Sequence, residues 1–521
     1  MFSKRILLAG LVGLSATGAA CAQTQTLEGV SRIYRSAISP IYAGNEVKGY
    51  IMYAKGDKAD KKNDNYSLDF YDQDLAKVSS VTIQKPSGRY YLLANAFNGS
   101  AFGLYYYNLK DNKLEMETYD SSLKKLGSKV IEEMSKMDRM KVQQSFQQKS
   151  SGADEQVFSD MELFPVPGYG FVRNSYEGMM KGFSLQLYDN QLNTKWTLES
   201  DPKSKFYESI NISEATDKYI LATIMRRSGM MSKKIESFMV VIDAATGKKI
   251  MDLPVETNAA EQLSLSSFTF DPAKREFVAM GEYYKLNDKP FVNKSEGFYL
   301  KRFSEAGQPT VAKNYGWHNE VRAAMPAEAL PSLEAGYVNY AQSIVRGANG
   351  KTYIVAEQYK VVADGLGIAM AMMGGGTSVV KGKIANMLVF ALDPSYKLTD
   401  VKFYPKDESQ AMLPGAGGAG LMGMYLKASG QFDYQFMQRN DANSQFNAVY
   451  INYDKEKGEK TKRIIGNMAF GDNGQFKLDK VDLTSSATSS YLYPAKPGYL
   501  MMVDYLKKEK KVGMKLVKVN I

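Results

Sequence analysis

The sequence predicts an all-β protein assembled from repeated units of about four strands, and three observations carry that reading. Short stretches alternate apolar and polar residues with the period of a half-buried strand, one turn signature recurs along the chain, and the 35 Tyr favour strands over helices. A chain of 521 residues ordinarily divides into several domains. Repetition relaxes that limit, because each unit brings its own slice of core.

The recurring signature is an apolar strand that ends in an aromatic or aliphatic residue, followed by Asp and a turn. Three copies are nearly identical: Tyr71-Asp72-Gln73-Asp74-Leu75, Tyr119-Asp120-Ser121-Ser122-Leu123 and Tyr188-Asp189-Asn190-Gln191-Leu192. Looser copies fall at Ile242-Asp243, Phe303-Ser304, Leu392-Asp393, Tyr453-Asp454 and Val519-Asn520. The eight marks lie 48 to 89 residues apart and average 64, room for four strands with their loops. Asp at this spot reads as structural: its carboxylate accepts hydrogen bonds from N–H groups two residues on, and Gly or Asn further along is expected to take the positive dihedral of the hairpin.

A second signature, a hairpin whose second strand opens on an aromatic residue, precedes the later marks. It is read in INISEATDKYILATIMR, SFTFDPAKREFVAMGEYY, SIVRGANGKTYIVAEQY, MYLKASGQFDYQFMQRN and SYLYPAKPGYLMMVDYL. Together the two signatures order each unit as strands a, b, c and d, with the Asp mark in the c–d turn. This meander resembles the blade of a β-propeller. The resemblance covers nearly the whole chain and implies one domain over residues 23–521, a ring of about eight four-stranded blades with short helical insertions. Seven is the alternative count, since neither a Trp-Asp dipeptide nor a Gly-Gly pair marks the blades. The last unit stops after its c strand, and a blade without its outer strand exposes an edge. The segment Leu27 to Ile38 is expected to supply that strand and close the ring.

Residues 1–22 read as a secretory signal: basic Lys4 and Arg5, an apolar stretch from Ile6 to Ala16, then small residues. Two processing readings stay open. Ala20-Cys21-Ala22 is an A-x-A site that would release a chain starting at Gln23; Gly18-Ala19-Ala20-Cys21 is a lipobox that would lipidate Cys21, the sole cysteine. Both imply export, to a periplasm or cell envelope, and neither leaves a structural disulfide. Removing Lys4 and Arg5 leaves 64 basic residues against 56 acidic ones, scattered along the chain. Nucleic acid is therefore not the expected partner, and the one basic cluster, Lys507 to Lys511, reads as a solvated turn. The most apolar later stretch, Val361 to Val380, is broken by Asp364 and glycines and reads as a loop, so membrane contact is expected only through a lipid anchor.

Antiparallel strands place the b–c loops and d–a connections on one face of such a ring and the a–b and c–d turns on the other. The long insertions share the first face: residues 132–156 and 314–336, the b–c loop VVADGLGIAMAMMGGGTSVVKGK, and AMLPGAGGAGLMG. That face is expected to bind a ligand, a protein, peptide or glycan. It is rich in methionine, with Met179-Met180, Met230-Met231 and Met372-Met373 in b–c loops and Met134, Met137 and Met140 at helical spacing. Three readings stand: packing of loops onto the rim, an adaptable apolar surface, and thioether binding of Cu(I).

Catalytic constellations are scarce. His318, in YGWHNE, is the only histidine, which excludes a multi-imidazole metal site; no phosphate loop, dinucleotide fingerprint or HExxH string occurs, and neither Gly374-Gly375-Gly376 nor GAGGAG is followed by Lys-Ser/Thr. No metal and no cofactor are expected. The reading is an exported, non-catalytic binding or scaffold propeller, with a glycosidase-like carboxylate hydrolase acting at the central channel as the alternative.

Overall fold

The computed structural model describes residues 23–519 apart from 34–36, 89, 134–162, 178–180, 230–231, 233–234, 256–260, 289–292, 364–379, 414–418, 441–444, 455–461, 472–474 and 484–486. Eight antiparallel sheets form the blades of a β-propeller. Blades 1 to 7 cover residues 38–86, 90–133, 164–199, 207–254, 261–316, 338–404 and 434–482, and blade 8 joins 489–518 to 24–27. In each of the first seven, strands a to d follow chain order.

The core sits between blades. Val172 and Leu185 of blade 3 pack on Ile210, Ile220 and Val240 of blade 4; Leu221 and Val241 of blade 4 pack on Phe268 and Phe277 of blade 5. A single cluster joins Met501 and Val503 of blade 8, Tyr50 and Leu68 of blade 1 and Phe102 of blade 2, which closes the ring. Alternation explains this arrangement: a strand with apolar residues on both faces offers one face to each neighbour.

The Asp marks of blades 1, 2, 3, 4 and 6 fall in c–d turns, and in four of these blades they share one geometry. The Oδ1 of Asp72, Asp120, Asp189 and Asp393 accepts the N–H of residues two and four places on, at 2.8–2.9 Å. Hydrogen bonds from the Ser122 hydroxyl and the Lys124 N–H hold the Asp120 carboxyl below the usual carboxylate range. The positive dihedral is not left to Gly or Asn. Leu75, Leu123, Leu192 and Tyr396 adopt φ of 62–65°, and all four side chains are buried. Each turn therefore drives a side chain into the interface with the preceding blade: Leu192 of blade 3 packs with Tyr105 and Leu114 of blade 2, and Tyr396 of blade 6 with Phe298 and Tyr315 of blade 5. Blade 4 differs. Its turn is one residue longer, and the left-handed position falls to Gly247 at φ +71°, where a Cβ would lie 2.5 Å from the Trp196 ring.

The leading segment does close the ring, with a different span from the one expected. Strand d of blade 8 is Thr24–Leu27, paired antiparallel from Thr24 with Lys515 to Leu27 with Val512. The apolar residues that suggested a longer strand, Val30 and Ile33, are buried as a strap across blades 8 and 1, and Ile38 opens strand a of blade 1. Tyr505 holds the strap by donating its hydroxyl to Ser31 O at 2.7 Å.

Blade 7 departs from the sequence reading by one strand. Its strands are Tyr434–Asn440, Gln445–Asp454, Lys462–Phe470 and Phe476–Asp482, so Asp454 ends strand b. The stretch read as its first strand belongs to the helix Ala419–Ala428, whose Met422 and Leu426 pack on Tyr359 and Ile384. Glycines at 415, 417, 418 and 420 had suggested a loop, yet Ala419 and Gly420 lie in this helix. Blade 6 is the enlarged unit: its strands Thr352–Ala363 and Val380–Leu392 run to 12 and 13 residues, and the added strand Ser409–Met412 pairs with Lys381–Ile384. The 314–336 insertion begins where strand d of blade 5 ends at Gly316 and then turns helical through Glu334, again on the b–c and d–a face.

Leu192→Ala should destabilise the protein by about 2–4 kcal/mol through the cavity it leaves. Leu192→Gly loses the same side chain but relieves a left-handed strain of about 1 kcal/mol, so it should match or exceed Leu192→Ala in stability, the reverse of the order at an ordinary strand position. Urea unfolding followed by Trp196 and Trp317 fluorescence checks the order; a glycine variant clearly weaker than alanine would show that the turn carries no such strain.

Candidate functional site

The six methionines singled out on the loop face, Met179, Met180, Met230, Met231, Met372 and Met373, lie outside the described residues, as do Cys21, Met134, Met137 and Met140. His318 is exposed in a helical turn, Trp317–Val321, beside the buried Trp317, whose Nε1 donates to Ser295 Oγ at 3.0 Å. Among the described residues no group of three His, Cys, Asp or Glu could hold a metal ion, and no helix is long and apolar enough to cross a membrane. The Lys507 to Lys511 cluster forms the b–c turn of blade 8 and the start of strand c, with Lys510 Nζ 2.6 Å from Asp57.

Two polar constellations emerge that sequence reasoning did not assemble. The first lines a cavity of about 480 Å³ between blades 3 and 4. Its walls are the end of blade 3 and the following connection (Glu199, Ser200, Asp201, Ser204, Lys205, Phe206), and the loop-face ends of blade 4 (Glu208, Ile224, Arg226, Phe238). It thus opens on the face of the b–c loops and d–a connections. The connection is shaped by its own sequence: Asp201 Oδ1 accepts the Lys203 N–H at 2.8 Å, Ser204 Oγ the Phe206 N–H at 3.1 Å, and Ser200 Oγ the Phe183 N–H at 3.0 Å. This series of side-chain turns brings Phe206 over one side of Arg226. The guanidinium carbon lies 5.1 Å from the Phe206 ring centre and 4.7 Å from that of Phe238, and Nε donates to Glu208 Oε1 at 2.7 Å. Two rings and one carboxylate therefore fix the guanidinium plane.

The second constellation is closed. Glu357, from strand b of blade 6, meets Lys406 of the connection and Asp433 at the entrance to blade 7, and all three side chains are buried. Lys406 Nζ stands 2.5 Å from Asp433 Oδ2 and 3.4 Å from Glu357 Oε1, while Glu357 accepts the N–H groups of Asp433 and Tyr434 at 3.2 and 3.1 Å. Ser409 and Tyr453 donate to Asp433 at 2.5 and 3.1 Å. One cation thus serves two carboxylates. Burial, which the Lys406 ammonium only partly offsets, pushes Glu357 up to about 7, with the Asp433 charge adding to the rise. With every polar atom of the trio engaged, it reads as a strut between blades 6 and 7.

The sequence did hold signals for both sites. An Arg at the mouth of strand b in IMRRSG is a charged group at the edge of the loop-bearing face, and Glu357 sits among apolar residues in TYIVAEQY, where only a partnered carboxylate is tolerable. Neither Lys406 nor Asp433 could be joined to Glu357 before the helix and blade 7 had been placed.

Fold and site together define an eight-bladed β-propeller with a polar inter-blade cavity on its loop-bearing face. The chain matches the Family of unknown function (DUF6770) over residues 2–520 and belongs to that family. No curated protein matches it by sequence. Among solved structures it is similar to prolyl oligopeptidase B from Galerina marginata, at 8% identity and a TM-score of 0.39 over 92% of this chain and 55% of that one. It is also similar to the tricorn protease, at 10% identity and a TM-score of 0.35 over 92% of this chain and 42% of that one. The β-propeller domain of the Trilobed protease from Pyrococcus furiosus aligns at 10% identity and a TM-score of 0.32, over 73% of this chain and 96% of that one. The chain spans 52% and 55% of the first two solved structures it resembles.

Lys406→Met should destabilise the protein by about 3–5 kcal/mol, since it strands two buried carboxylates. Glu357→Gln tests the charge state. A carboxyl whose folded pKa is raised supports the fold below the ordinary glutamate range and ceases to do so as pH rises through about 7. The stability of the parent relative to Glu357→Gln should therefore fall between pH 4.5 and pH 8 in urea unfolding; a difference independent of pH would mean an ordinary carboxylate.

Proposed function

We propose that this protein is an exported, non-catalytic propeller that binds its ligand on the face of the b–c loops and d–a connections. One observation supports the reading above others: the cavity between blades 3 and 4 opens on that face, and aromatic rings and charged groups line it. Concave sites with a few fixed polar groups are where small ligands and peptide segments seat. The insertions fall on the same side, and rigid scaffolds carry binding on such loops. The opposite face is taken up by turn-to-turn bonds, including Asn98 Nδ2 to Asn190 Oδ1 at 2.7 Å and Lys274 Nζ to the Tyr396 hydroxyl at 2.6 Å.

A photo-crosslinking residue placed at Phe206 in the native host should give discrete adducts, while the same residue at Ser121, in a c–d turn, should give none. Adducts confined to Ser121 would place binding on the wrong face, and an absence of adducts at both would count against a binding role. Mass spectrometry of the mature N-terminus decides the anchoring: a lipidated Cys21 or a free Gln23 each establishes export, whereas retention of Met1 in the mature protein overturns it.

A further inference from the structure

The cavity between blades 3 and 4 has a charge arrangement that narrows what it can hold. A guanidinium presents two hydrogen-bonding edges. In Arg226 the edge containing Nε is taken by Glu208, and the rings of Phe206 and Phe238 lie 5.1 and 4.7 Å from the guanidinium carbon. What is left is the edge of the two Nη groups. Arg226 lines the cavity with 34% of its side chain accessible, so that edge is within reach of a ligand. Its geometry suits a carboxylate, which two parallel N–H donors bind in one orientation.

The other charges of the lining decide what accompanies the carboxylate. Four acids, Glu199, Asp201, Glu208 and Asp252, face three bases, Lys205, Arg226 and Lys249. Glu208 and Asp252 are spent on Arg226 and Lys249. Glu199 accepts one long bond from Ser184 Oγ, at 3.4 Å, and Asp201 holds its own loop together through the Lys203 N–H. A plain anion would meet Arg226 and Lys205 but also two carboxylates not neutralised by an ion pair; a plain cation would meet Arg226. A ligand bearing both charges satisfies each side. Between them stand Phe183, Ile224 and Phe238, an apolar surface for a hydrocarbon or aromatic side chain. The volume, about 480 Å³, falls in the range of small-ligand pockets.

We infer that this cavity is a site for a short zwitterionic peptide, with its carboxylate on the Nη edge of Arg226, its ammonium toward Glu199 and Asp201, and an apolar side chain against Phe183 and Ile224. The inference deepens the binding role proposed above and names its ligand class. Arg226 acts here as the selecting group and Glu208, through its hold on Nε, as the positioning group.

Isothermal titration of the mature protein with the dipeptide Phe-Leu tests the assignment, with its C-terminal amide and its N-acetyl form as parallel probes. Phe-Leu should bind saturably with one site, and amidation or acetylation should each weaken binding at least tenfold, about 1.4 kcal/mol. Arg226→Met, which keeps an unbranched apolar stem beside the two rings, should produce the same loss for Phe-Leu but little further loss for the amide. Glu208→Gln, checked for folding by circular dichroism, should weaken Phe-Leu severalfold by releasing the guanidinium. A hexapeptide ending in Phe-Leu should bind more weakly than the dipeptide, because its ammonium lies too far from the carboxylate. Equal affinity of Phe-Leu and either blocked form overturns the assignment, as does equal or tighter binding of the hexapeptide, binding unchanged in a folded Arg226→Met variant, or no binding by folded parent protein. Adducts at Phe206 in cells alongside a failed titration would overturn the ligand class and leave the binding face standing.

Discussion

A leucine held in the left-handed region, against its own steric preference, ties the ring together. At Leu75, Leu123 and Leu192, and at Tyr396, the c–d hairpin turns through a residue with positive φ whose side chain is buried between blades. The conformation costs about 1–2 kcal/mol for a residue with a Cβ. Burying a leucine contributes about 1.5–3 kcal/mol, so the balance favours the strained residue over glycine wherever the neighbouring blade offers a pocket. Asp at the head of the turn makes this geometry available, by binding the two N–H groups that the tight reversal would otherwise leave unpaired. Turn chemistry and inter-blade packing are thus one device.

That device separates the two faces. The c–d turns interlock with the a–b turns of their neighbours: Lys496 of blade 8 bonds Asp74 of blade 1, Asn190 of blade 3 bonds Asn98 and Ser100 of blade 2, and Glu305 of blade 5 receives Lys218 and Tyr219 of blade 4. Each contact needs short turns of defined shape, so there is no room for insertion on that side. The other face has no such requirement, which is where the chain carries the helical connection after blade 5 and the extended strands of blade 6.

The blade repeat was legible because Asp, the turn and the following leucine are consecutive in the chain, as in Tyr188-Asp189-Asn190-Gln191-Leu192. The occupant of the left-handed position was not, since glycine is the residue that intrinsic preference selects there and only a pocket formed by the preceding blade makes leucine better. Blade 7 escaped for a related reason. Tyr453-Asp454 copies the mark at the end of a b strand, and the residues from Met424 to Ala428, apolar enough to pass for a strand, have their helical face chosen by Tyr359 and Ile384 of a different blade. Sites built across blades share this difficulty: Glu357 and Asp433 stand 76 positions apart in the chain, and they meet Lys406 only once blades 6 and 7 are packed together.

Inter-blade charges also distinguish struts from sites. Lys85 of blade 1 reaches Glu117 of blade 2 at 2.9 Å with the Tyr90 and Tyr106 rings beside its ammonium, and both side chains are shielded from solvent. Arg173 of blade 3 meets Glu132 of blade 2 at 2.6 Å, and Lys406 bridges blades 6 and 7. These cations are buried, so the low-dielectric interior strengthens their bonds and keeps them out of reach of a ligand. Arg226 has the same ring and carboxylate partners but stands at an open interface with one hydrogen-bonding edge unspent. A guanidinium that is oriented as firmly as the buried struts, yet remains reachable, loses little further freedom when a carboxylate arrives. Preorganisation of that kind is what the binding role proposed for the gap between blades 3 and 4 rests on, whereas the gap between blades 6 and 7 is filled by its own ion-paired trio.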